Sequence, residues 1–141
     1  MGKREDRKAL IRKIVRTNSV RTQRDLVDYL AAEGCKCTQA TISRDVSDMG
    51  LLKTQDGTYV LPEDLNLKKL VVDLVNTVEY SGNLVVVKLM PGAASGVAAA
   101  MDAADLQYLM GTVAGDDTIL CIAYSEEDAR LFTESLQNLM R

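Results

Sequence analysis

The sequence predicts an α/β (α+β) protein in two parts. Residues 1–62 are expected to form a winged helix-turn-helix, 63–69 a linker, and 70–141 a ββαββα domain with a four-stranded antiparallel sheet. Three observations carry this. Capped helical periodicities fill the first 50 residues and give way to an Asp-Gly turn between short apolar runs. Beyond residue 70, β-rich runs come in pairs, each pair followed by a helical pattern. Charge is also segregated: residues 1–66 hold 12 Lys and Arg against 10 Asp and Glu, whereas 67–141 hold 5 against 10.

The first helix is read over 3–16, where Leu10/Ile14 and Ile11/Val15 recur at i,i+4 and Asn18-Ser19 ends the run. TQRDLVDYLAAEG opens with Thr22 and Asp25 at capping-box spacing and closes on Gly34. A third, short helix begins near Thr38 and stops at Gly50, and LLKTQDGTYVLP then places Asp56-Gly57 at the tip of a tight hairpin. LPEDLNLKK has a proline, charges and no clear period, hence the linker. In the second part, LVVDLVNTVEY and NLVVVKLM pair around Ser81-Gly82, and Pro91-Gly92 precedes the small-residue helix AASGVAAAMDAA. QYLMGTVAG and TILCIAYS then pair around Asp116-Asp117. Ser125 and Asp128 start a last helix whose Ala129, Leu131, Phe132, Leu136 and Leu139 offer a buried face, and both helices are expected on one side of the sheet.

With 47% hydrophobic and 26% charged residues the chain is that of a folded protein. The low-charge run LMPGAASGVAAAM is too short and glycine-broken to span a bilayer, and MGKREDRKALIRK lacks the form of a signal peptide. A cytoplasmic protein without a membrane partner is expected. Three cysteines make an odd count, which argues against a disulfide framework. Cys35-x-Cys37 is a possible metal pair, but with no histidine in the chain a zinc site lacks ligands, and thiols packed around a turn are the simpler reading. A second domain of about 75 residues buries little surface alone, so self-assembly is plausible.

On the third helix, Ile42, Val46 and Met49 form one apolar stripe, while Ala40, Ser43, Arg44 and Ser47 fall on the opposite side. That outer face is small and polar and suits a DNA major groove. Arg44 can fork onto guanine, Ser43 and Ser47 can bond bases or phosphates, Ala40 can meet a thymine methyl, and Gln39 can reach adenine or a phosphate. A basic first helix supplies further attraction to a polyanion.

TQATISRD, between a TQRDLVDYL-type helix and a short wing, resembles the recognition helix of the bacterial arginine repressor family. The resemblance assigns DNA contact to Thr38, Gln39, Thr41, Ser43 and Arg44. PGAAS and GTVAGDDT resemble the effector-binding, oligomerising domain of the same family, so the likeness runs over nearly the whole chain. It implies that Asp116 and Asp117 bind L-arginine, a co-repressor and not a cofactor, between subunits of a trimer. It also implies that Thr112, Ala114 and Thr118 support the bound ligand, and that two trimers stack into a hexamer. Ser95 stands where the family often has glutamine. The function implied is arginine-dependent repression of arginine biosynthesis genes, or activation of catabolic ones, by a non-enzyme that binds palindromic operator DNA. Two other readings stay open: a paralogue that binds DNA without sensing arginine alone, and an enzyme holding a metal through paired carboxylates.

Overall fold

Lys3–Thr17 form helix α1, whose Ile11, Ile14 and Val15 turn inward. Helix α2, Gln23–Ala32, starts in a full capping box between Thr22 and Asp25. It ends where Gly34 takes a φ of 85°, which lets the Cys35 amide reach back to the Leu30 carbonyl at 2.8 Å. Helix α3, Gln39–Met49, is capped by the Thr38 hydroxyl and closed by Gly50 in the left-handed conformation. Strands β1, Leu52–Lys53, and β2, Tyr59–Val60, make the short wing. Ile11, Val20, Leu26, Leu30, Ile42 and Leu61 are the buried centre of this part.

This computed structural model describes residues 2–141; Met1, at the start of the expected N-terminal domain, lies outside them. The chain divides into two compact units at Pro62/Glu63. The expected linker at 63–69 is not irregular: Pro62–Leu74 form helix α4. The reading of 70–74 as strand is corrected with it. Pro62 occupies a first-turn position where no amide is needed, Glu63 and Asp64 sit in the same turn, and Leu67 and Val71 are buried four residues apart. One apolar stripe therefore runs through both the supposed linker and the supposed strand start.

The second unit continues with β3 (Val75–Ser81), β4 (Leu84–Leu89), α5 (Ala94–Ala103), β5 (Leu109–Ala114), β6 (Thr118–Ala123) and α6 (Glu126–Leu139). The four strands form one antiparallel sheet in the order β3-β4-β6-β5. Alternate residues Val85, Val87, Leu89 and Ile119, Cys121, Ala123 are buried and share one face by register. Val97 and Met101 of α5 and Phe132 and Leu136 of α6 complete the same core, so both helices cover that face. The opposite face carries Val86, Leu120 and Ile122, half-buried, with Leu84 40% and Val113 60% exposed. No element of the second unit covers it.

Candidate nucleic-acid interface and ligand site

The amphipathic pattern of α3 puts Ile42 at zero exposure in the core, so the residues on the other side must face outward. Gln39, Ala40, Ser43, Arg44 and Ser47 are all exposed. Thr38 and Thr41 differ from them. The Thr38 hydroxyl accepts from the Thr41 amide at 3.2 Å and lies 3.0 Å from the Thr41 hydroxyl, so both shape the helix start.

Asp45, which the periodicity left unassigned, is only 2% exposed. Arg7 of α1 grips its carboxylate with two nitrogens, Nε on Oδ2 and Nη2 on Oδ1 at 3.0 Å. Arg4 pairs with Asp48 one turn further along. The basic first helix thus spends two of its arginines on holding α3 and does not leave them to an outside polyanion. An aspartate beside an apolar stripe, with arginines at i,i+3 on a neighbouring helix, was the available signal.

The wing is tied down as well. The Tyr59 amide donates to the Val20 carbonyl at 2.8 Å, and Arg21 Nη1 donates to the Asp56 carbonyl at 2.9 Å. Asp56 accepts from the Thr54 hydroxyl, the Thr58 hydroxyl and the Thr58 amide. These bonds to the charged form hold its carboxyl down at about 2.

In the second unit, Asp116 and Asp117 stand in the turn between β5 and β6, their backbone pinned from two sides. The Ala94 amide, at the start of α5, donates to the Asp116 carbonyl at 3.2 Å, and the Leu89 amide donates to the Asp117 carbonyl at 2.8 Å. Both side chains are exposed. The Thr118 hydroxyl donates to Asp117 Oδ1 at 3.0 Å, and Lys88 Nζ donates to that hydroxyl at 3.0 Å. Among the described residues no cation pairs with either carboxylate.

Ser95 is exposed on α5, and helical phase puts Ala99 and Asp102 on the same face. Across from them, Thr112 and Ala114 of β5 turn toward the helix side, opposite Cys121 and Ile119. Thr112 Oγ1 donates to Asp102 Oδ1 at 3.1 Å, closing the line between α5 and β5. Ser95 therefore stands next to Ala94, which is bonded to Asp116, while Thr112 and Ala114 lead along β5 into the turn that holds the aspartate pair. Asp102, which the sequence reading did not single out, is the acidic residue that the fold brings to Thr112; its spacing of seven from Ser95 was the signal.

Comparison with known proteins shows the family. Residues 2–67 match the family described as arginine repressor, DNA binding domain, and residues 71–138 match arginine repressor, C-terminal domain. The arginine repressor of Symbiobacterium thermophilum is 43% identical over 145 residues, covering 96% of this chain and 97% of the relative. That of Shouchella clausii is 42% identical over 140 residues, covering 92% and 94%. That of Bacillus subtilis is 40% identical over 138 residues, covering 91% and 90%. Two domain matches in this order, with relatives aligned along nearly their full lengths, place the chain in the arginine repressor family of DNA-binding transcriptional regulators.

Proposed function

We propose that this protein represses arginine biosynthesis genes in response to L-arginine, which binds at Asp116 and Asp117 between subunits and stabilises a hexamer made of two trimers. The observation that carries the reading is the pair of exposed carboxylates, rigidly mounted on main-chain hydrogen bonds and lacking a cation. A guanidinium is planar and presents five donors that match carboxylates two at a time. Asp102 lies eight residues along α5 from Ala94, roughly 12 Å at 1.5 Å per residue. Acids spaced in this way suit an extended ligand with a guanidinium at one end and an α-ammonium at the other. Thr112, Thr118, Ser95 and the backbone at Ala114 supply the polar lining between them. Ser95, shorter than the glutamine often found there, either loses a ligand hydrogen bond or reaches the ligand through water, and so bears on affinity more than on ligand identity.

Assembly follows from the same electrostatics. Aspartates brought together by stacked subunits repel, at about 1 kcal/mol or more per close pair, and each arginine replaces that repulsion with attraction. Ligand that binds only the assembled form stabilises it by about 2.7 kcal/mol per site at a hundredfold excess over Kd. The bare apolar sheet face of Leu84, Val86, Val113, Leu120 and Ile122 is the surface that self-association would cover. A hexamer presents several copies of α3 at once, so Gln39, Ala40, Ser43, Arg44 and Ser47 read neighbouring half-sites, with Thr38 and Thr41 setting the helix start. Multivalency raises avidity by roughly 10² to 10⁴. No step in this scheme is enzymatic.

Sedimentation with and without L-arginine tests the reading. The wild-type chain is expected to shift to the hexamer on arginine addition, and Asp117→Asn to lose that shift while both domains stay folded. Arginine-driven assembly of the variant would overturn it.

A further inference from the structure

We propose, on the reading that Asp117 binds L-arginine, that Lys88 is a positioning residue for that carboxylate and acts through the Thr118 hydroxyl. Lys88 lies on β4 directly across from Thr118 of β6. Its Nζ donates to Thr118 Oγ1 at 3.0 Å, and that hydroxyl donates to Asp117 Oδ1 at 3.0 Å. The next residue of the strand, Leu89, donates its amide to the Asp117 carbonyl at 2.8 Å. Two neighbours on β4 therefore hold the two halves of Asp117, one the side chain and the other the backbone. Lys88 is exposed between the buried Val87 and Leu89, so no packing demand accounts for a lysine at this position.

The direction of this relay follows from what each group is able to do. A hydroxyl has one proton and turns it toward whichever acceptor is at hand, whereas an ammonium has three donors and no acceptor. With only water beside it, the Thr118 hydroxyl is free to donate outward and leave Asp117 unbonded, since water both gives and takes hydrogen bonds. With Lys88 beside it, the Thr118 oxygen has to accept, and its proton is left for Asp117. That bond takes one lone pair of Oδ1 and restrains the carboxylate from turning about its own axis. Oδ2 and the other lone pair of Oδ1 stay open to a ligand, in a plane already set. A planar guanidinium forks onto two oxygens only when the planes match, and a carboxylate ordered beforehand loses less freedom on binding. Lys88 forms no ion pair with Asp117, so it orients the carboxylate without occupying the place of the ligand.

Calorimetric titration of the full chain with L-arginine is the test. Lys88→Met, which keeps the length of the side chain and loses its donors, should raise Kd about tenfold, the scale of one hydrogen bond to a charged group. Lys88→Arg, again a donor that cannot accept, should bind nearly as the wild type does. Thr118→Val should weaken binding at least as much as Lys88→Met. The Lys88→Met/Thr118→Val double variant should be no weaker than Thr118→Val, because the lysine works only through the hydroxyl. Wild-type affinity in Lys88→Met, no rescue by Lys88→Arg, or losses that multiply in the double variant would overturn the role of Lys88 and leave Asp117 standing as a ligand. No binding of L-arginine by the wild type would overturn the reading of Asp117, and the role of Lys88 with it. Should Lys88→Met fail to fold, Lys88→Arg, Thr118→Val and the wild type still decide: wild-type affinity in Thr118→Val overturns the relay.

Discussion

Asp56 shows how one exposed side chain can shape a contact surface. Its carboxylate gathers two threonine hydroxyls and an amide at the wing tip, and Gly57 supplies the φ of 84° that the turn needs. The folded value of about 2 lies below that of an unfolded aspartate, near 4. Its contribution is therefore complete above pH 4 and lost as pH falls through 2. A carbon-detected NMR titration of the Asp56 carboxyl should show a midpoint about two pH units below that of a free aspartate; an ordinary midpoint would remove these bonds from solution. Arg44, exposed on the outer face of α3, is the side chain assigned to base reading. Arg44→Ala should weaken specific DNA binding by about 1–3 kcal/mol and relax preference at one base position, as a competition series of single-base variants would show. The Asp-Gly turn and the exposed arginine were both legible in the sequence, because each depends on local chemistry. The burial of Asp45 was not, since its partner is 38 residues away.

At the scale of elements, α3 is oriented by packing and by a clamp. The packing follows from its apolar stripe, and the clamp is the ion pair with Arg7. Arg7→Ala would leave the Asp45 carboxylate buried and unpaired. The expected loss is about 3 kcal/mol in urea unfolding, the lower end for a broken buried pair because Arg7 keeps one edge in solvent. DNA affinity should fall with it. Helix ends were the easiest features to read: Thr22 and Ser125 cap as their spacing predicts, and α3 starts at Thr38, where its beginning is expected. Helix α4 was missed for an identifiable reason. Its charged first turn looked like a linker and its apolar last turn like a strand, and only the shared burial of Leu67 and Val71 joins the two. Strand β3 accordingly starts at Val75, where the pairing with Leu89 begins.

For the whole molecule, the decisive feature is a sheet with helices on one side only. Its outer face carries an apolar patch of Leu84, Val86, Val113, Leu120 and Ile122 on β4, β5 and β6, beside the polar Thr77, Glu79 and Ser81 of β3. Val113, 60% exposed in the single chain, tests this. Val113→Asp should leave the fold intact, since the side chain packs little within the subunit, and should abolish self-association in sedimentation. A hexamer that persisted would exclude this face from the contact. Apart from α4, the order of helices and strands, the caps, the turn glycines and the family motifs were determined by the sequence itself, because each is an interaction among residues close along the chain. Tertiary structure alone decided that Arg7 locks Asp45, that Asp102 of α5 joins Thr112 of β5, and that one sheet face stays bare. Those depend on which distant segments meet, and local periodicity carries no record of such meetings.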